Sequence, residues 1–323
     1  MLFWKRTSPQ EEQRRMQAQQ EAEASQHALE GGGLPLQATR RLSEEVAAGH
    51  PLFSSDLSTK EFSLTRTLGY QPLSQVMGSS IFHVGWQYTR TYASYPNEME
   101  LPTLSQAHQR AAQLALSRLD QEAALLKAHG VIGVRLTTRD YEWGANMLEF
   151  TAIGTAIKLP NTPLPQRPFL SDLSGQEFWT LLQAGYYPAG LVTGFCSYYI
   201  ALGSSLSRQL KSWFNWTNQE IVPFSQGIYT ARNLAMSRLL SMARSLKASG
   251  VVGMHINFAR QVIEYETEYS GSHLDLSVRF SVVGTAITAQ RPDHVILPPK
   301  PTLSFTDLRP GRYGQTQELT MRV

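Results

Sequence analysis

The chain holds 323 residues, of which 42% are hydrophobic and 17% charged, the composition of an ordinary globular protein long enough for about two domains. Its formal net charge of +3 gives no support for a nucleic-acid binder, which carries a basic stripe or patch. The single cysteine, Cys196, excludes an intrachain disulfide framework and thiolate-rich metal sites and suits a reducing cytosol, so a cytoplasmic protein is expected.

Met1 to Arg6 places apolar residues before charged ones, the wrong order and length for a secretory signal. No run of about 18 apolar residues follows that could span a membrane. Ser8, Pro9 and Glu11 supply a cap, a first-turn proline and a carboxylate three residues after the cap. They predict a helix to about residue 29, ended by Gly31, Gly32 and Gly33. This helix has little to bury beyond Met16 and Leu29, so it is expected to be solvated or docked on a partner. A second short helix over 38–48 completes an N-terminal extension, residues 1–50.

Within residues 51–158, Asp56-Leu57-Ser58 followed by Glu61-Phe62 predicts a capped helix, with Asp56 or Ser58 as the cap. Within residues 172–290, Asp172-Leu173-Ser174 and Glu177-Phe178 predict another. A Gly-Tyr-x-Pro turn then leads into apolar strands over 73–84 and 189–202. Long helices are predicted over about 104–128 and 225–248, with Gly130 and Gly250 as C-cap glycines before strands 131–137 and 251–258. The apolar positions of the first long helix cover more than one stripe, so it needs two surfaces. One is its own sheet; the other is the twin unit or another subunit. The closing hairpin passes through Tyr141-Glu142-Trp143-Gly144 to a strand over 147–157. In the second half, Leu274, Leu276, Val278 and Phe280 alternate with Asp275, Ser277 and Arg279 as a half-buried antiparallel strand. Pro-rich residues 159–171 link the halves as a semi-rigid spacer, and Pro-rich residues 291–323 form an extended tail.

The halves repeat one another. Residues 111–134 match 231–254 without a gap, 13 of 24 being identical at an offset of 120, where chance gives about one or two. The match continues upstream from Asp56 through Gly78 to Asp172 through Gly194 at an offset of 116. Downstream, Ile153-Gly154-Thr155-Ala156-Ile157 matches Val283-Gly284-Thr285-Ala286-Ile287 at an offset of 130, so the second hairpin is ten residues longer. The expected fold class is α+β, a tandem pair of modules in which a small, mostly antiparallel sheet packs on a long helix.

Leu126 to Val134, with the Gly130-Val131-Ile132-Gly133 strand, and the closing Gly154-Thr155-Ala156 strand form a pattern that resembles the YbjQ-like heavy-metal-binding domain family. Residues 247–253 and 283–286 are as similar to it, and so is the opening strand of each copy. The likeness covers most of 56–158 and 172–290. It implies dodecin-like β-α-β-β modules assembling as a ring, commonly a pentamer, in two stacked layers if each copy makes its own ring. The family name also implies a divalent metal.

Metal binding needs converging histidine, cysteine or carboxylate ligands. The eight histidines include no close pair, and His83, on the family-like strand, is the best candidate. Its counterpart is Tyr199, and Cys196 corresponds to Ser80, so neither ligand recurs, although five copies of His83 would converge on a ring axis. Glu264 and Glu266, with Glu268, line one strand face and are candidates for a hard cation, against the ordinary reading of a solvated face. Arg118 and Arg238 recur on otherwise apolar helices as an anion site or, alternatively, as a structural ion pair or helix-carbonyl bond. With Leu114 and Leu234 they are the candidate interface residues. The second copy adds Tyr186, Tyr187, Phe195, Tyr198, Tyr199, Trp213, Phe214 and Trp216, as core, interface or a small-molecule pocket. No Gly-x-Ser-x-Gly, His-Glu-x-x-His or Gly-x-x-x-x-Gly-Lys motif occurs. The expectation is a non-enzymatic homo-oligomeric ring, a scaffold or ligand-binding protein, with the N-terminal helix and tail open to another protein partner. The alternative is a heavy-metal-binding or metal-sensing protein with sites at subunit interfaces.

Overall fold

The computed structural model describes residues 9–49, 52–84, 97–140, 147–159, 162–203, 206–207, 210, 218–267 and 271–289, and two short strands at 303–306 and 316–319. The expectations for Met1 to Arg6, the Ser8 cap, Tyr141 to Gly144, Trp213, Phe214, Trp216, Glu268 and most of the Pro-rich tail lie outside these residues.

Two helices open the chain, α1 (Pro9–Glu30) and α2 (Leu36–Ala47). The first half then runs through α3 (Thr59–Thr67), β1 (Gln71–His83), β2 (Asn97–Glu100), α4 (Pro102–Leu125), β3 (Gly130–Asp140) and β4 (Met147–Lys158). After β5 (Phe169–Leu170), which lies within the stretch expected as linker, the same order recurs. It comprises α5 (Gly175–Gln183), β6 (Tyr186–Ala201), α6 (Val222–Ser245), β7 (Gly250–Thr267) and β8 (Gly271–Ala289). A hairpin of β9 (Leu303–Thr306) and β10 (Thr316–Leu319) closes the described chain.

Local chemistry explains the matching starts and stops. Ser58 and Ser174, rather than the aspartates two residues earlier, cap α3 and α5, each in a full capping box with Glu61 or Glu177. The long helices end in Schellman motifs: Lys127 N–H donates to Ala124 O and Ala128 N–H to Ala123 O, and Lys247 and Ala248 repeat the pair. The left-handed residue is therefore a lysine, Lys127 (φ 55°) or Lys247 (φ 54°), and not the expected glycine. Gly130 and Gly250 are instead the first residues of β3 and β7. Bulges fall at equivalent points too, between Pro72 and Ser74 and between Pro188 and Gly190.

The strands form two four-stranded sheets, ordered β1-β4-β3-β5 and β2-β6-β8-β7. All pairings are antiparallel except β3 with β5. Helix α4 packs Ala111, Ala115 and Leu119 into the same core as Val76 of β1 and Phe150 of β4. That core also takes in Leu191 and Phe195 of β6, so the second surface of the two-sided helix is the twin half. Because side chains alternate along a strand, β6 turns Leu191 and Phe195 toward α4 and Val192, Cys196 and Tyr198 toward α6. Helix α6 meets them with a line of buried residues every fourth position, the small Gly227, Ala231, Ala235 and Ala243 and the larger Leu239. The layers are thus first sheet, α4, second sheet, α6.

The long strand β8 buries Leu276, Val278 and Phe280 as expected. Asp275, expected on the wet face, is fully buried because the hydroxyl of Tyr199 donates to its Oδ2. The N-terminal extension divides in two. Helix α1 is solvated over nearly its whole length, whereas Leu42 of α2 is fully buried in the α4 core.

Candidate functional site at the junction of the halves

A seam of backbone hydrogen bonds joins the two halves. Phe169 N–H donates to His129 O and Ser171 N–H to Val131 O, adding β5 in parallel to the outer edge of β3. In return, Gly133 and Val134 N–H donate to Leu173 O and Ser171 O. The segment is anchored to its own half as well. The Oγ1 of Thr285 in β8 lies 3.0 Å from Ser171 Oγ and accepts from Asp172 N–H at 3.1 Å. Ser55 and Asp56 meet Thr155 of β4 in the same way in the first half.

Aromatic packing reinforces the seam. Phe169 stacks on Phe178 at 5.7 Å, and Tyr70 meets Phe178 edge-on at 5.6 Å. The ring of Phe169 lies where a Cβ on Gly130 would stand, 2.4 Å away, so any larger residue at 130 expels it. Helix α3 packs on α5 with Gly175 N–H donating to Glu61 Oε1 at 3.2 Å. That bond and the cap bonds from Ser58 hold the Glu61 carboxyl below its usual range despite burial.

Beside the seam lies a cleft of about 870 Å³ between the α4 flank, the 159–168 linker and the C-terminal turn of α6. Its wall is mainly apolar, including Leu116, Leu159, Tyr187 and Leu246. His129 is spent on holding the linker, its Nδ1 accepting from Leu159 N–H at 3.1 Å while Nε2 faces Thr162 O at 3.3 Å. Burial lowers the pKa of this imidazole and keeps it neutral. Arg167 and Asp120 form an exposed ion pair across the linker at 3.1 Å. This arrangement fixes the two halves together.

The four expected ligands are scattered. His83 is exposed at the end of β1, Cys196 is fully buried between β6 and α6, and Glu264 is exposed on β7. The side chain of Glu266 lies outside the described residues. Burial, with Glu100 nearby, pushes the Cys196 thiol up to about 12, the wrong direction for a thiolate ligand. Arg118 and Arg238 occupy equivalent places. Arg118 Nη1 donates to Ser79 O at 2.6 Å and Arg238 Nη1 to Phe195 O at 2.5 Å. Beyond that they differ. Arg118 also donates to Leu29 O, at the end of α1, and to Gly33 O, clasping the extension beside Leu114, which touches Gly32. Arg238 pairs with Glu100 of β2 at 2.6 Å. Leu234 is half-buried on α6. Of the second-half aromatics, Phe195 and Tyr198 are core, Tyr199 is bound to Asp275, Tyr187 lines the cleft and Tyr186 is exposed. Sequence reading missed the β5 seam altogether. The Phe53 and Phe62 pair, shared with Phe169 and Phe178 at the same offset, was the signal that could have found it.

The chain is 36% identical over 263 residues to the encapsulin nanocompartment protein Rv1762c of Mycobacterium tuberculosis (strain ATCC 25618 / H37Rv), an alignment spanning 79% of this chain and 93% of the relative. The chain belongs to the same family as this encapsulin nanocompartment protein. The family described as "Putative heavy-metal-binding" also matches, over residues 98–160. That segment contains β2, α4, β3 and β4 but none of His83, Cys196, Glu264 and Glu266. Its two histidines are occupied: His129 by the linker, and His108 by Leu104 O on Nδ1 and by the Arg279 guanidinium on Nε2. Among the described residues no three His, Cys, Asp or Glu side chains converge. The described donors of one chain therefore do not fit a heavy metal.

Proposed function

We propose that the protein is a non-enzymatic, homo-oligomeric scaffold that builds a nanocompartment-type assembly from tandem YbjQ-like, dodecin-like modules arranged as a ring. The observation that carries this reading is the 36% identity to an encapsulin nanocompartment protein along nearly its whole length. The fold supports it: conserved between the halves are glycines, caps and small helix residues that fix packing. Helix α4 is covered on both sides, whereas among the described residues α6 is covered on one. No described helix is long and apolar enough to cross a membrane, and a cytoplasmic particle is the setting we assign. Heavy-metal binding between subunits is the second reading, favoured by the family match at residues 98–160 and by the exposure of His83.

Light scattering coupled to size exclusion at micromolar concentration tests the scaffold. The expected result is a discrete particle of several chains. A sharp peak at 36.2 kDa, unchanged by concentration, would retire it.

A further inference from the structure

Two surfaces that the seam buries inside the chain, the edge of β3 and the segment that adds to it, have counterparts left partly open among the described residues. The edge of β3 that receives β5 is buried at Val131, Ile132 and Val134. The corresponding stretch of β7 ends its sheet, and there Val251 and Val252 are half-exposed and Met254 is 44% exposed. The incoming segment is matched too. Phe53 stacks on Phe62 at 5.3 Å just as Phe169 stacks on Phe178, and Asp56 and Ser55 hold it to Thr155, so residues 52–57 are already shaped like the segment that adds to β3. They add to nothing among the described residues, with Leu52 82% and Phe53 44% exposed.

Gly250 points the same way. At Gly130 a glycine is compulsory because Phe169 occupies the Cβ position. At Gly250 the nearest atom to a Cβ is Ile287 Cγ1 at 3.9 Å, and φ is not in the left-handed range. Among the described residues the packing leaves room there for an aromatic ring. The layering agrees. The outer face of β6 is covered by α4, but its counterpart on β1 exposes Met77 and Ile81, and α6 exposes Tyr229 (66%) and Leu240 where α4 faces the twin half.

We propose that a second copy of this chain docks head to tail, its residues 52–57 adding in parallel to the β7 edge at 250–254 with Phe53 over Gly250, so that the seam inside one chain is repeated between chains. The proposal rests on the scaffold reading and specifies its contact. Such a contact is heterologous, and it closes into one ring in which first and second halves alternate, or extends as a filament.

Two variants test it. Gly250→Leu fills the acceptor edge, where the chain itself has space, and Phe53→Asp spoils the incoming segment, which lies at the surface. Light scattering is expected to show each variant alone as a monomer with a native circular dichroism spectrum, and an equimolar mixture as a dimer, because each keeps the surface the other lost. Wild-type oligomers with both variants unchanged in mass overturn the head-to-tail contact and leave the scaffold standing. A wild-type monomer overturns both. Should either variant fail to fold, hydrogen exchange on the wild-type oligomer decides: slow exchange of 53–55 and 250–254 that becomes fast on dilution to monomer is expected, and fast exchange in the oligomer overturns the contact.

Discussion

Asp56 and Asp172 hold the same place in the two halves and live in different electrostatic worlds. Asp56 pairs with Arg135 and remains partly exposed. Asp172 sits under the seam, where burial raises its pKa from 3.8 to about 6, although the Thr285 hydroxyl and the charge of His255 pull it down. Its Oδ2 is buried without a hydrogen-bond partner. A carboxyl whose folded pKa exceeds its unfolded one favours folding below the unfolded value and loses that contribution as pH rises through the folded value. The loss thus falls between pH 3.8 and about 6. Asp172→Asn keeps an acceptor for Thr285 and removes the charge. It is expected to match the wild type near pH 4 and exceed it at pH 8 by on the order of 2–3 kcal/mol in denaturant melts; an equal difference at both pH values contradicts this. Little at this scale was legible beforehand. Cys196 and His83 are visible as residue types in the sequence, but burial of one and exposure of the other depend on which strand and helix they meet.

At the scale of elements, the repeat made most boundaries readable, because two independent sequences had to satisfy one set of caps and strands. The serine caps, both long helices and the three main strands of each half follow from local chemistry. The two-residue strand β5 does not. Its parallel pairing is created by an edge more than thirty residues earlier, and no period can be read from two residues. Gly78 and Gly194 show what the repeat protects. A Cβ on Gly78 would stand 1.9 Å from Ala115 O, and one on Gly194 2.1 Å from Ala235 O, so helix backbone lies directly on strand backbone. Gly194→Ala must push α6 off β6. The expected cost is about 1–3 kcal/mol or more, measured by chemical denaturation. An alanine at 194 with wild-type stability would show that the helix floats freely on the sheet.

For the whole molecule, α4 is the central layer, touching β1 and β4 on one side and β6 on the other. It joins the core of the first half to Leu191 and Phe195 on the outer face of β6, whose other face has its own core with α6. Phe195 is the second half's main contribution, meeting Phe150 of the first half at 5.4 Å in an edge-on pair. The two halves are therefore expected to melt in one calorimetric transition. Phe195→Ala, which removes a buried ring at a cost of about 3–5 kcal/mol, is expected to lower that transition without splitting it. Two resolved peaks, one unaffected by the substitution, would mean that the halves unfold as separate bodies.

The linker over 159–168, tied down by His129 and Arg167, has a consequence for stoichiometry. Because it joins one first-type module to one second-type module covalently, the two types are present in equal numbers in any assembly this chain forms, and the total is always even. A feature confined to one half, such as the exposed His83 or the buried pair of Tyr199 and Asp275, then occurs once per chain. The two halves of one chain would thus bring different surfaces to any such assembly in a fixed one-to-one proportion.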